Sequence, residues 1–221
     1  AASQLGYYPN NLARGLVSGR TRILGLIVSD ITNPFFPEII QSFENAAVEN
    51  NYEILLVSTQ HDLTRMENSV RRMFEGRVEG VAVFTSGIDE QLLGQFRSRN
   101  VPLVLVDARS AFPRSVNLKI DYRHGIRQAV QHLAALRHET IAFITGPLRL
   151  QSALTRKNAF EDALHEIGMQ VDPRLVVDGD HTLEGGMRAF GSLLATGLRP
   201  TAVMCSNDIS AIGVIREAYG L

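Results

Sequence analysis

The side chains of this sequence that could bind or transform a small molecule follow short apolar runs. Four come after the first run and four after later runs: Ser29, Asp30, Phe35, Phe36, Thr85, Asp107, Asn207 and Asp208. A hydroxyl, a carboxylate and an aromatic face are the groups that hold small, sugar-like polar ligands. Each residue also has a simpler interpretation, because the polar ones could be loop or helix-capping residues and the phenylalanines could lie in a core.

Arg156 is the candidate cationic anchor for such a ligand. It lies in the segment SALTRKNAF, residues 152–160. The planar guanidinium presents a fork of N–H donors that suits vicinal hydroxyls or a carboxylate. The alternative is an exposed arginine near the start of a helix, and the residue pattern alone leaves both interpretations open.

The sequence carries none of the short motifs that are associated with catalysis. It has no GxSxG, no GxGxxG after the first strand, no Walker loop, no HExxH and no CxxC. The histidines are scattered without the spacing of metal ligands, and the single cysteine, Cys205, excludes an internal disulfide. We therefore predict no enzyme activity, no catalytic residue, no bound metal and no cofactor.

Short apolar runs alternate with amphipathic stretches along most of the chain. Strands are predicted at 22–29, 52–58, 80–85, 102–107, 140–145, 174–179 and 201–206. Helices are predicted near 37–50, 63–75, 89–99, 123–136, 153–168, 183–196 and 208–219. Continuous apolar runs indicate strands that are covered on both faces, so the class is α/β with parallel, doubly wound sheets. The carboxyl ends of such strands share one crevice, which brings the candidate binding residues together.

The alternation is interrupted once, by the irregular stretch 108–121. We place there a crossover between two similar α/β lobes, with four strands in the first lobe and at least three in the second. The chain ends at Leu221 directly after a helix, so we expect the second sheet to lack strands and the fold to be truncated at the C-terminus.

Composition limits the class of protein. The chain has 221 residues and a formal net charge of -1, which argues against a protein that coats nucleic acid along its whole length. Its basic residues Arg14, Arg20 and Arg22 nevertheless precede the first acidic residue, Asp30. The sequence has no signal peptide and no apolar run of about 18 residues, so we expect a cytoplasmic protein without membrane contact.

The N-terminal segment 9–19, PNNLARGLVSG, has Leu12, Leu16 and Val17 on one side of a possible short helix, with Arg14 nearby. A helix of this length is unstable alone in water and needs a partner or a surface. An arginine beside exposed leucines resembles the wedge with which some proteins open a base step in the minor groove. The alternative is a solvated tail.

With these residues laid out, the chain resembles the LacI/GalR family of bacterial transcription regulators over essentially its whole length. The resemblance rests on ordered motifs: LGYYPNNLARGL (5–16), GLIVSDITNPFF (25–36), VEGVAVF (78–84), VPLVLVD (101–107), DYRHG (121–125), HLAALRHETIAFITGPL (132–148) and PTAVMCSNDISAIGV (200–214).

The resemblance implies a two-lobed, periplasmic-binding-protein-like fold of type I. Residues 1–21 would be the remnant of a DNA-binding headpiece with its hinge helix and linker. Residues 22–120 would form the N-terminal lobe, and residues 121–221 an incomplete C-terminal lobe. In the hinge, the residues expected to contact operator DNA are Asn11, Leu12, Arg14 and Leu16, with Leu16 as the inserted leucine.

The resemblance also implies a small effector, sugar or sugar-like, bound between the lobes. Carried over residue by residue, the effector-binding set is Ser29, Asp30, Phe35, Phe36, Phe84, Thr85, Asp107, Arg156, His181, Asn207 and Asp208. His181 departs from relatives that place a stacking aromatic there, and the loop 85–87 is small. The protein would be a homodimer or a tetramer, in which the effector changes the spacing of two hinge helices. The alternative is an exported sugar-binding receptor of the same fold.

Overall fold

The computed structural model describes residues 20–60, 62–85, 88–108 and 113–220. The hinge residues predicted to contact DNA, Asn11, Leu12, Arg14 and Leu16, lie outside these ranges, as do Ser86 and Gly87 of the small loop. The chain divides into two compact units between Lys119 and Ile120. Within the described ranges, no helix combines the length and the apolar character needed to cross a membrane.

The first unit is a sheet of five parallel strands with helices on both faces. Its elements are β1 (Ile23–Val28), α1 (Phe35–Glu49), β2 (Glu53–Ser58), α2 (Leu63–Glu75), β3 (Gly80–Phe84), α3 (Glu90–Ser98), β4 (Leu103–Val106) and β5 (Ser115–Leu118). The strand order is β2-β1-β3-β4-β5, and every pair in it is parallel.

Successive side chains of β1 pack on opposite faces of this sheet, which explains its unbroken apolar sequence. Leu26 and Val28 pack with Phe36 of α1 on one face. Ile27 packs on the other face with Met73 of α2 and Phe96 of α3, both fully buried. The predicted α/β class with parallel, doubly wound sheets is therefore confirmed.

The prediction of an irregular stretch at 108–121 was wrong in one part, because residues Ser115–Leu118 form the edge strand β5. β5 pairs in parallel with β4 over four residues, so the first unit has five strands rather than four. Its sequence SVNL contains only two apolar residues, and both Val116 and Leu118 are exposed. A search for apolar runs misses such a strand, since pairing with β4 rather than burial holds it.

The second unit has a three-stranded parallel sheet in the order β7-β6-β8. Its elements are α4 (Tyr122–Ala135), β6 (Ile141–Ile144), α5 (Gln151–Glu166), β7 (Val176–Val177), α6 (Leu183–Ala195), β8 (Ala202–Cys205) and α7 (Asp208–Tyr219), with a 3-10 turn at Pro173–Leu175. Phe143 of β6 packs on α4 and α5, whereas Ala142 and Ile144 face α6 and α7. The sheet of this unit is likewise covered by helices on both faces.

The strand predicted at 174–179 is only two residues long. Pro173 begins a 3-10 turn, and the side chain of Asp172 accepts a hydrogen bond from the backbone N–H of Arg174. Proline has no N–H to give to a sheet, and an aspartate before it favours a capped turn. Because of the proline and the capping aspartate, the strand begins only at Val176.

Helices α6 and α7 approach each other unusually closely, and both begin at the carboxyl edge of the second sheet. A Cβ built on Gly186 of α6 would overlap the backbone carbonyl of Ser210, and one built on Gly213 of α7 would overlap that of Leu183. Backbone atoms cannot rotate away as a flexible side chain can. These two glycines therefore set the distance at which the helices pack.

We expect Gly186→Ala to destabilise the protein by about 2 kcal/mol or more, because the added methyl group must push two backbones apart. Gly191→Ala is the matched control on the same helix, since the nearest atom to its Cβ would be 3.9 Å away. That variant should be neutral or stabilised by up to about 1 kcal/mol. Urea unfolding of both variants measures the difference, and equal stabilities would contradict the close packing.

Candidate functional site

Asp30 directly follows β1 and buried Ser29, and forms a tight turn with Thr32. Its Oδ1 accepts hydrogen bonds from the backbone N–H of Thr32 at 2.9 Å and from the Thr32 hydroxyl at 2.7 Å. Its Oδ2 accepts no hydrogen bond from the described residues. One carboxylate oxygen thus holds the turn, and the other remains available to a ligand.

Phe35 and Phe36 begin helix α1 but occupy different environments. Phe36 is 8% exposed and packs with Leu26 and Val28 in the core. Phe35 is 54% exposed, and its ring meets that of Phe36 edge to face at 5.3 Å between centroids. The core interpretation therefore fits Phe36, whereas Phe35 offers an aromatic surface to solvent. Phe84, at the end of β3, is partly buried against the same cluster.

Thr85 and Asp107 lie at the carboxyl ends of β3 and β4. Thr85 is buried. Asp107 has φ of +52°, a left-handed conformation that aspartate tolerates better than most residues, and its N–H donates to the carbonyl of Leu118 at 2.9 Å. The amide of Asn117 holds the next residue, Ala108, through two hydrogen bonds of 2.7 and 3.1 Å. Asn117 thus fixes the path of the chain beside Asp107.

The end of β2 adds polar groups that sequence reasoning missed. The Ser58 hydroxyl donates to the carbonyl of Ser29 at 3.3 Å, and the Gln60 N–H donates to the same carbonyl at 2.6 Å. The N–H of Thr59 donates to the carbonyl of Val28 at 3.0 Å. The sequence could have indicated these residues, because Ser58, Thr59 and Gln60 form a polar run at the end of a predicted strand. A polar run in the same position indicated Ser29 and Asp30.

In the second unit, the candidate residues gather around His181. Its ring nitrogen Nε2 lies 2.9 Å from the Ser206 hydroxyl, and its carbonyl accepts a hydrogen bond from Asn207 Nδ2 at 3.1 Å. The ring sits directly on Gly146, where any Cβ would overlap it. Ser206 is 6% exposed, so its hydroxyl orients the imidazole and is poorly placed to attack a substrate. Neither Ser206 nor Gly146 was among the predicted site residues.

Asn207 and Asp208 lie at the start of α7. The Asn207 side chain accepts a hydrogen bond from the backbone N–H of Ser210 at 3.1 Å, so it caps the helix as the simpler interpretation proposed. Because its amide nitrogen also bonds His181, the same side chain joins two loops of this edge. Asp208 is exposed in the first turn of the helix.

Asp180 repeats in the second unit the turn that Asp30 makes in the first. Its Oδ1 accepts from the Thr182 N–H at 2.9 Å and from the Thr182 hydroxyl at 2.6 Å. Its Oδ2, however, accepts from Arg188 at 2.7 Å. Burial acts to raise the pKa of Asp180, but the hydrogen bonds from Thr182 and the charge of Arg188 outweigh it, and the pKa is lowered. Asp180 is thus an ionised structural anchor, whereas within the described ranges one oxygen of Asp30 has no hydrogen-bond donor.

Arg156 lies in the second turn of α5 and is partly buried. Its guanidinium carbon is 4.2 Å from the centroid of the Tyr122 ring, the geometry of a cation–π contact. Tyr122 is the first residue of α4, whose start is capped by Asp121 through the N–H of His124 at 2.9 Å. The interpretation of Arg156 as a freely exposed arginine is therefore wrong, and the stacked ring that holds its guanidinium was not predicted.

Cys205 is the last residue of β8 and immediately precedes Ser206. Burial raises the pKa of its thiol to about 12, so the sulfur stays protonated at neutral pH and is a poor nucleophile. The groups described at the two carboxyl edges are therefore hydrogen-bonding, cationic and aromatic. Their chemistry suits the binding of a polar molecule better than its transformation.

Comparison with known proteins gives a family match over nearly the whole chain. Residues 21–220 match the family described as periplasmic binding proteins and the sugar binding domain of the LacI family. The HTH-type transcriptional repressor PurR of Photobacterium profundum is 31% identical over 216 residues, which cover 97% of this chain and 65% of that protein. Catabolite control protein A of Priestia megaterium has the same identity and coverage.

Among solved structures, the complex of the transcriptional regulator CelR with cellobiose superposes with a TM-score of 0.79. It is 26% identical, and the match covers 99% of this chain and 66% of that one. The chain spans about 65% of the length of the two curated relatives, so the match reaches both units but not the whole of those proteins.

We expect Asn117→Leu, which keeps the size of the side chain but removes both bonds to Ala108, to cost about 1 to 2 kcal/mol of stability. The backbone amide of Ala108 should also exchange its hydrogen faster. Hydrogen exchange read residue by residue measures this, with Asn45→Leu on the exposed face of α1 as the control. An unchanged rate at Ala108 would show that Asn117 does not position the segment after Asp107.

Proposed function

Because this chain belongs to the LacI/GalR family as an effector-binding domain, we propose that it is the ligand sensor of a DNA-binding transcription repressor. The observation that carries the proposal is the family match over residues 21–220, together with the similarity to PurR, which is named a transcriptional repressor. PurR is named as a repressor and not as an enzyme, which agrees with side chains arranged for binding.

The effector that we propose is a small polar molecule, most simply a sugar. Three side chains support this class. Asp30 has a carboxylate oxygen that accepts no hydrogen bond from the described residues, Phe35 exposes an aromatic face, and Arg156 presents a planar guanidinium whose orientation Tyr122 holds. Carboxylates and guanidinium groups bond vicinal hydroxyls, and the apolar face of a sugar ring stacks on aromatic rings. The neighbouring CelR structure contains cellobiose, a ligand of this class.

Each unit supplies part of the proposed binding set. The first supplies Ser29, Asp30, Phe35, Phe84, Thr85 and Asp107 at the carboxyl edge of its sheet, with Phe36 as the core support of Phe35. The second supplies Arg156, His181, Asn207 and Asp208. An effector that binds two conformations of the protein unequally can shift the equilibrium between them only by that difference in affinity. In a homodimer, this shift would change the spacing of the two hinge helices on operator DNA.

The alternative of an exported sugar receptor with the same fold is not favoured. The family description covers periplasmic binding proteins as well, but PurR is named a transcriptional repressor and CelR a transcriptional regulator. A regulator must reach DNA, so we propose a cytoplasmic location.

The first test is ligand-induced thermal stabilisation against a panel of sugars and nucleosides. A sugar should raise the melting temperature, and Arg156→Ala should weaken its binding by on the order of 100-fold, because a charged hydrogen bond contributes about 1.5 to 3 kcal/mol. Asp30→Asn should also weaken binding, since asparagine keeps the oxygen that holds the turn but loses the charge.

Arg216→Ala, on the exposed surface of α7, is the control and should bind as the parent does. If no polar small molecule stabilises the parent protein, the sensor proposal fails. If Arg156→Ala binds as tightly as the control, the proposed role of this arginine is wrong.

The second test concerns the hinge. In the intact regulator, Leu16→Ala should reduce operator affinity at least about tenfold, because the inserted side chain loses most of its apolar contact. Effector affinity should not change. Fluorescence anisotropy with operator DNA and calorimetry with the effector measure the two quantities separately. Unchanged operator affinity would show that Leu16 is not the inserted leucine of a hinge helix.

A further inference from the structure

The segment Arg20–Arg22 enters the first unit at the amino edge of its sheet, opposite to the edge that carries the candidate effector residues. Two hydrogen bonds, each between a side chain and the backbone, hold it there. The Thr21 hydroxyl donates to the carbonyl of Arg77 at 2.7 Å, and the backbone N–H of Arg22 donates to Glu79 Oε1 at 2.9 Å. Both partners lie just before β3, so the entering segment is tied to a part of the chain more than 50 residues away.

Glu79 joins the starts of three neighbouring strands. Its backbone N–H donates to the carbonyl of Ile23 in β1 at 2.8 Å, and its Oε2 accepts from the Tyr52 hydroxyl at 3.1 Å, just before β2. The pKa of Glu79 is lowered, mainly because its carboxylate accepts the hydrogen bond from the backbone N–H of Arg22. Burial acts to raise this pKa, whereas the hydrogen bond from the Tyr52 hydroxyl and the charge of Arg20 lower it further. The carboxylate is therefore ionised at neutral pH.

The backbone of Arg22 is held in an uncommon conformation by these contacts. Its φ is +55°, in the left-handed region that non-glycine residues rarely occupy. Its N–H is bonded to Glu79, and its carbonyl accepts the N–H of Glu53 at 2.9 Å. A left-handed arginine persists only where surrounding contacts determine it, and here both of its backbone groups are engaged.

We propose that Glu79 is a positioning residue that clamps the arm, residues Arg20–Arg22, which leads to the proposed DNA-binding segment. The clamp fixes the point at which that arm leaves the first unit. The importance of the clamp for DNA binding rests on the function proposed above, whereas its effect on the arm itself does not. Glu79 touches neither the effector residues nor, in the proposal, DNA. Its role is to make the entering segment move as one body with the sheet.

Limited trypsin digestion tests the clamp directly, because Arg20 and Arg22 are themselves cleavage sites. In Glu79→Gln, which keeps the shape but loses the charge, cleavage after these two residues should be about tenfold faster than in the parent protein. Tyr52→Phe, which removes one of the bonds to Glu79, should give a smaller increase. Glu75→Gln, exposed on α2, is the matched control and should leave the rate unchanged.

Mass spectrometry of the fragments separates local release from general unfolding, since cleavage after exposed Arg174 in the second unit serves as the internal reference. Faster cleavage at Arg20 and Arg22 alone supports the clamp. Equal rates in Glu79→Gln and the parent, or an equal increase at Arg174, would overturn it.

In the intact regulator, Glu79→Gln should lower operator affinity about tenfold and leave effector affinity unchanged. Unchanged operator affinity in a variant whose arm is released would overturn the link between the clamp and DNA binding. If the parent itself binds no DNA, the proposed function fails, and the digestion still decides whether Glu79 clamps the arm.

Discussion

Parallel pairing of strands that are buried on both faces is the constraint on which the rest of this structure depends. Such strands need apolar residues on both faces, and between two of them the chain must return to the starting edge of the sheet, in most cases through a helix. All carboxyl ends therefore meet at one edge and all amino ends at the other. The polar residues after β1, β2, β3 and β4 lie at one edge for this reason alone.

At the carboxyl edges, similar local turns have different capacities to bind a ligand. Asp30 and Asp180 each use one carboxylate oxygen to hold a threonine two residues later. Arg188 occupies the second oxygen of Asp180, whereas the second oxygen of Asp30 has no such partner among the described residues. The difference arises from α6, which brings its arginine back beside the loop. A helix thus decides which of two equivalent carboxylates can meet a ligand.

The two edges of the first sheet have different tasks. The carboxyl edge presents side chains to solvent, and the amino edge holds the incoming chain through Thr21, Arg22 and Glu79. The central strands β1 and β3 connect the two edges, and their side chains are buried in a core on each face of the sheet.

The sequence by itself determined the α/β class, the helices and most of the strands, because burial on both faces leaves an unbroken apolar run, as in β1 and β6. It also indicated Asp30 and Asn207, since polar groups after such runs meet at one edge, and it indicated Arg156 as a cation near the start of a helix. Only the tertiary structure decided that SVNL is a strand, that Tyr122 stacks on Arg156, that Ser206 holds His181 and that Glu79 holds Arg22. Each of these depends on contacts between residues distant in the chain, and the local pattern around either partner carries no mark of the other.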